Sequence, residues 1–213
     1  MSKRKTESLE TRGASAELFS RAVDALKRGE VIVFPTETFY GLGADAFDET
    51  AVERVVALKG RSPENPIPLI ISDREMLESV VGDIPPAAQK LMERFWPGPL
   101  TLVLSAKRNL PASLLNHNGG VGVRISSHPL ANRLARELGR PLTATSANPS
   151  GREPARTVDQ ALAYFSDKIE IFLEGGRLEG KKGSTVMDVS QDKIRIVREG
   201  EIPSEELKRI LAT

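Results

Sequence analysis

The chain has 213 residues, 39% of them hydrophobic and 5% aromatic, with 30 basic against 29 acidic residues and a net charge of +1. That size and apolar content support one large domain with an aliphatic core and exclude global disorder, while the near-neutral charge argues against a protein whose main task is to coat nucleic acid or an anionic membrane. With no cysteine, and only His117 and His128 as imidazoles, disulfides, thiolate chemistry and zinc–thiolate sites are excluded, and any metal would be a hard cation held by oxygens, partly those of substrate phosphates.

Residues 1–13 are charged and lack an apolar h-region, so they read as a flexible tail rather than a secretory signal. No run approaches the ~20 apolar residues of a membrane span, and the expectation is a soluble, cytoplasmic protein. Leu18, Phe19, Ala22, Val23 and Leu26 recur at helical spacing up to Gly29. "VIVF" at 31–34 is a continuous apolar strand, and "PTETFYGLG" after it reads as a polar turn rich in hydroxyls and bare backbone. Asp48 caps a helix whose apolar side carries Ala51, Val52, Val55, Val56 and Leu58, and the prolines of "KGRSPENP" end it.

"IPLIIS" is a strand, residues 73–81 and 85–95 are helical, and "WPGP" separates the second of these helices from the strand "LTLVLSA". "LPASLLNHNGG" is an irregular loop, "VGVRIS" a strand, and 129–138 a helix stopped by Gly139. "PLTATSANPSG" is a short strand running into a turn. A helix near 157–165 precedes the late strands "IEIFLEGG", "STVMDVS" and "KIRIVREG", and residues 204–211 form a last helix. Strands and helices alternate first and strands cluster late, which predicts a single α/β domain over 14–213 built on a mixed sheet.

Several stretches carry chemistry. "GGRLEGKKGST" imitates the start of a phosphate-binding P-loop at Gly175, Gly180 and Lys181. Lys182 stands where Ser or Thr should hold magnesium, and the β-branched run that follows reads as a strand, so a glycine-rich loop is the better reading. Lys59, Arg61 and Asn65 either complement the end of a helix or grip phosphates, and both readings stay open. Ser146 and Asn148 lie just beyond a strand end, the usual ligand position in open α/β sheets, or they build a turn. Arg124 inside "VGVRIS" and Arg198 in "IVREG" are cations on strands; a buried charge needs a partner, and an anionic ligand could serve both. His128, at a helix start before Pro129, reads as a structural or surface residue, with catalysis the lesser alternative.

Taken in order, "FPTETFYGLGADAF", "LKGRSPENPIPLII", "WPGPLTLVL", "VGVRI", "HPLA", "TATSANPSG", "STVMDV" and "IVREGEI" resemble the YrdC-like threonylcarbamoyl-adenylate synthases over roughly residues 15–203. The resemblance implies a YrdC-like fold, a twisted mixed β-sheet with flanking helices around a large, positively lined cavity. It implies condensation of L-threonine, bicarbonate or CO2 and ATP to threonylcarbamoyl-AMP and pyrophosphate, with Mg2+ accompanying ATP and no tightly bound organic cofactor. A separate transferase would then place the group on adenosine 37 of tRNA. By position, Thr38, Arg124, Ala144 and Ser184 match threonine contacts. Lys59, Arg61, Asn65, Ser146, Asn148, Pro154 and Arg198 match ATP contacts, with Lys59 and Arg61 as charge stabilisers. No general base and no protein metal ligand is implied. The chain departs from the family in having Ser62 and then Pro63 where many members have Pro directly after "KGR"; Ile70 lies where some carry a histidine near the amino-acid end, so threonine would be held differently, and Gly120 replaces a hydroxyl residue seen in some members, which bears on one ATP contact. The alternatives are an RNA-binding protein of this fold, weak RNA binding being compatible with a basic cavity, and a paralogue acting on another carbamoyl or acyl substrate.

Overall fold

A computed structural model of the chain describes residues 16–60, 66–191 and 193–212. The tail 1–13 and the residues Arg61, Ser62, Pro63 and Asn65 therefore lie outside the described residues. The helices follow the apolar periodicity: α1 Ala16–Lys27, α2 Glu49–Lys59, α3 Arg74–Val80, α4 Pro86–Phe95, α5 Pro129–Leu138, α6 Val158–Phe165 and α7 Ser204–Leu211. Local chemistry sets their ends. The Asp48 carboxylate accepts from Ala51 N at 3.1 Å to open α2, and Gly60, at φ 55°, closes it in the left-handed region where a Cβ is costly. The buried faces are aliphatic, as 5% aromatics require.

The single mixed sheet expected from the strand pattern is instead two mixed sheets. One holds the order β7 (Thr145–Ser146), β2 (Tyr40–Gly43), β1 (Ile32–Pro35) and β8 (Ile171–Phe172). The other runs β10 (Arg195–Arg198), β9 (Thr185–Asp188), β4 (Leu100–Ser105), β5 (Gly120–Arg124), β3 (Leu69–Ile70) and β6 (Leu142–Thr143). Parallel pairs (β1–β8, β3–β5, β4–β9) and antiparallel pairs mix in both. The division is made within "LTATS": β6 pairs with β3 in one sheet and β7 with β2 in the other, so the chain crosses between the sheets at Ala144. A pairing choice of this kind is non-local, and the apolar pattern of one strand does not contain it.

"YGLG", read from the sequence as part of a turn, is the strand β2. It forms a hairpin with β1, in register from Ile32 opposite Gly43 to Pro35 opposite Tyr40. Its glycines serve packing: a Cβ on Gly43 would come within 2.8 Å of the Phe34 ring, and one on Gly41 within 3.2 Å. The bare backbone thus admits an aromatic ring from the neighbouring strand, although Gly41 also borders the cavity described below. "IPLIIS" and "IEIFLEGG" contribute only two-residue strands.

Two apolar cores result. One fills the space under α2, α4, α6 and α7; the other lies beneath α1 and α5 and includes Phe19, Phe34 and Ile70. Among the described residues no helix is long and apolar enough to cross a membrane.

Candidate active site

The loop of the β1–β2 hairpin, residues 36–39, builds itself from its own hydroxyls. Thr36 Oγ1 donates to Phe39 O at 2.7 Å and accepts from Phe39 N at 3.3 Å. Thr36 Oγ1 also lies 3.1 Å from Thr38 Oγ1. A hydroxyl has one proton, and that of Thr36 is committed to a carbonyl that can only accept. Thr36 Oγ1 also accepts from Thr38 N at 3.2 Å, so two backbone amides already use its acceptor capacity and the Thr38 hydroxyl beside it stays able to donate or accept. Thr38 is buried and lines a cavity of about 1020 Å³.

That cavity lies where the two sheets approach each other. Thr36, Thr38 and Gly41 come from one sheet's hairpin, Ala144 and Ser146 from the crossover, and Thr101, Arg124, Ser184 and Arg198 from the other sheet's side. Charged groups at its wall are Lys59, Arg124, Arg195 and Arg198 against Asp188 and Glu199. Arg195 is paired with Asp188 at 3.2 Å, and among the described residues Lys59, Arg124 and Arg198 are the other cations at the wall.

Two of these converge on one residue. Arg198 Nη2 donates to Ser184 O at 2.8 Å and approaches Ser184 Oγ at 3.4 Å, while Arg124 Nη1 reaches the same Oγ at 3.5 Å, the limit of hydrogen bonding. Ser184 Oγ also lies 2.8 Å from Thr101 Oγ1. Arg198 is exposed as a residue, but its guanidinium turns toward Ser184 at the cavity wall. Desolvation there, and then repulsion from Arg124, hold its pKa below the ordinary arginine value. Like charges gathered beside one hydroxyl make a site for an anion.

The counter-charge is Glu37, a residue that reasoning from the sequence passed over although it sits between two singled-out threonines. Its Oε1 lies 3.1 Å from Arg124 Nε, but the N–H is not aligned with it, and both atoms are buried without a hydrogen-bond partner. Its Oε2 accepts from Ser126 Oγ.

Lys59 is buried at the end of α2 and faces inward. Its Nζ donates to Ser146 O at 2.7 Å and to Asn148 O at 2.6 Å, with Asn148 Oδ1 at 3.3 Å. These bonds tie the end of α2 to the "TSAN" turn, with Lys59 at the cavity wall. Asn148 is buried and does not line the cavity; its amide donates to Pro149 O and Arg152 O, so it shapes the turn. Ala144, Ser146, Pro154, Ser184 and Gly120 all line the cavity. Ile70 does not: it is fully buried in the core beneath α1 and α5, so the expected loss of a hydrogen bond at that position has no counterpart at the cavity wall.

The P-loop imitation resolves as a strap. Gly180 presses on the Thr38 carbonyl, where any Cβ would collide. The amides of Lys181 and Lys182 donate to Glu201 Oε1 at 2.7 and 2.5 Å, and strand β9 follows shortly after. His128 acts as the N-cap of α5, its Nδ1 accepting from Leu130 N at 3.3 Å; burial lowers its pKa and Glu37 opposes the shift.

Comparison with known proteins bears on this geometry. The family model Sua5/YciO/YrdC, described as telomere recombination, matches residues 24–200. A threonylcarbamoyl-AMP synthase of Pyrococcus abyssi is 38% identical over 190 residues, covering 89% of this chain and 56% of the relative, so this chain spans little more than half of that protein. A threonylcarbamoyl-AMP synthase of Vibrio vulnificus is 35% identical over 176 residues, covering 82% of this chain and 95% of its own. The crystal structure of P. abyssi Sua5 complexed with L-threonine superposes with a TM-score of 0.86 over 90% of this chain and 56% of that one, at 38% identity.

Proposed function

The chain belongs to the Sua5/YciO/YrdC family, and from that premise we propose that it is a threonylcarbamoyl-AMP synthase, an enzyme that joins L-threonine, CO2 or bicarbonate and ATP. The observation that carries the reading is the convergence of Arg124 and Arg198 on Ser184 in a cavity of about 1020 Å³ that Thr38 also lines. A cavity of this size suits an amino acid together with a nucleotide, and the cations at its wall suit a carboxylate and phosphates.

In this reading Thr38, Arg124, Ala144 and Ser184 form the amino-acid end. Lys59, Ser146, Pro154 and Arg198 border the nucleotide, joined by Arg61 and Asn65, while Asn148 keeps the turn in shape. Threonine's amine adds to CO2 and loses a proton, giving a carbamate. A carbamate oxygen attacks the α-phosphorus of ATP; the bond from that phosphorus to the bridging oxygen breaks, and pyrophosphate departs with the electron pair. The Thr38 hydroxyl can hydrogen-bond the substrate's hydroxyl, and the arginines offset negative charge where it gathers. ATP enters as its magnesium complex. In that complex the phosphate oxygens hold the ion. The product is a reactive mixed anhydride, and we assign its consumption to a separate transferase acting on tRNA.

The test mixes pure protein with ATP, magnesium, bicarbonate and single amino acids, and measures pyrophosphate and the adenylate. Release that requires both threonine and bicarbonate is the expected result. Equal release without threonine refutes the synthase reading.

A further inference from the structure

Arg124 is a buried cation whose partner among the described residues is a single carboxylate, Glu37. A carboxylate beside an arginine normally forms a two-pronged fork, which satisfies and neutralises the guanidinium. Here it does not. Glu37 Oε1 approaches only Nε, at 3.1 Å and off line, and Nη1 is turned toward Ser184 Oγ. The reason lies on the other oxygen. Oε2 accepts from the hydroxyl of Ser126, which is itself fixed because His128 N donates to it at 3.2 Å. Ser126 is buried, so this hydroxyl has no water to turn to instead.

We propose that Ser126 and Glu37 are a positioning pair: Ser126 restrains the Glu37 carboxylate so that it steadies Arg124 from the Nε side without taking its outward nitrogens, which stay available to the substrate's carboxylate. Neither residue lines the cavity, so both act through Arg124. The inference rests on the functional reading above, in which Arg124 meets the amino acid. It has a directional consequence. Removing the Ser126 hydroxyl frees Oε2, and a freed carboxylate next to an arginine rotates into the fork. Arg124 is then neutralised from within the protein, and the substrate must compete with Glu37 for it. Removing the charge of Glu37 in the same molecule takes away the competitor.

The experiment is calorimetric titration of L-threonine into the ATP-bound protein, with thermal melting of each variant. Ser126→Ala is expected to weaken threonine binding about tenfold or more, the scale of a lost charge-assisted contact, and to leave ATP binding unchanged. The double variant Glu37→Gln/Ser126→Ala is expected to return to within about threefold of wild type, because the two effects are coupled rather than additive. Should Ser126→Ala not melt cooperatively, Ser126→Cys, whose thiol is a weak donor, carries the same comparison. If wild type binds threonine and the serine variant binds it equally well, the positioning role is wrong while the functional reading survives. If the double variant is no better than the single one, Ser126 is only structural, and the inference fails. If wild type itself binds no threonine, both readings fall.

Discussion

Replacing Thr38 by valine keeps the shape of the side chain and removes one oxygen. Two interactions go with it. The first is internal, the 3.1 Å contact to Thr36 Oγ1. Its loss should cost about 1 kcal/mol, or about 3 °C in melting temperature for a domain of this size, because Thr36 keeps its bond to Phe39 O and the hairpin loop stays closed. The second is the hydrogen bond offered to the substrate's hydroxyl. A methyl group is discriminated by only about 1–3 kcal/mol, whereas a site that hydrogen-bonds a hydroxyl can reject the isostere lacking it by up to about 10⁴-fold. Wild type should therefore use serine poorly but measurably, and valine worse than serine. In Thr38→Val the gap between threonine and valine should shrink to about tenfold or less, mainly through loss of activity with threonine, since neither partner of the former hydrogen bond is then left unpaired by valine. Measuring kcat/KM by pyrophosphate release for the three amino acids on both proteins decides the matter. A wild type that prefers valine, or a variant that leaves all three values unchanged, shows that the hydroxyls of "PTET" serve the hairpin alone.

Arg198→Ala should lower kcat/KM for ATP by about ten- to a hundredfold, the scale of a charge-assisted phosphate contact, with little change in melting because Arg198 lies on the edge strand β10. Lys181→Ala is its control and should be nearly silent, since the bond at that position is made by the backbone amide to Glu201; equal loss in both variants would revive the P-loop. A pH series on stability tests the buried phenol of Tyr40, whose OH donates to Gly176 O at 2.8 Å and accepts from Gly175 N at 2.9 Å. Burial first, and then Glu174, push its pKa well above the ordinary 10.0. A folded-state value above the unfolded one means stability that is intact below pH 10 and declines as pH rises beyond it, by up to about 1.4 kcal/mol per pH unit. Chemical denaturation between pH 8 and 11.5 should show that decline in wild type and a flatter curve in Tyr40→Phe; parallel curves would mean the phenol is not held neutral.

Much of the molecule was legible without coordinates because it is local. The apolar spacing of α1, the Asp48 cap and the glycine stop at Gly139 depend on residues a few places apart, and those interactions operate in any fold the chain adopts. The cations worth noticing, Lys59, Arg124 and Arg198, were also visible, because a charge in an apolar run is conspicuous. What each cation does was not. Lys59 meets Ser146 and Asn148, 87 and 89 positions away; Arg124 meets Ser184, 60 positions away. Such partners depend on which strands pair, and strand pairing is decided by how whole apolar faces are buried together. The same long-range choice split one expected sheet into two at Ala144 and turned "YGLG" from a turn into a strand with its glycines under Phe34. It also buried Ile70 away from the cavity and made Glu37, an unremarked acid in a polar stretch, the counter-charge of Arg124. Residue types and their local order determine which groups this protein can bring to a site; the pairing of distant strands decides which of them face one another across it, because burial and charge pairing act through space rather than along the chain.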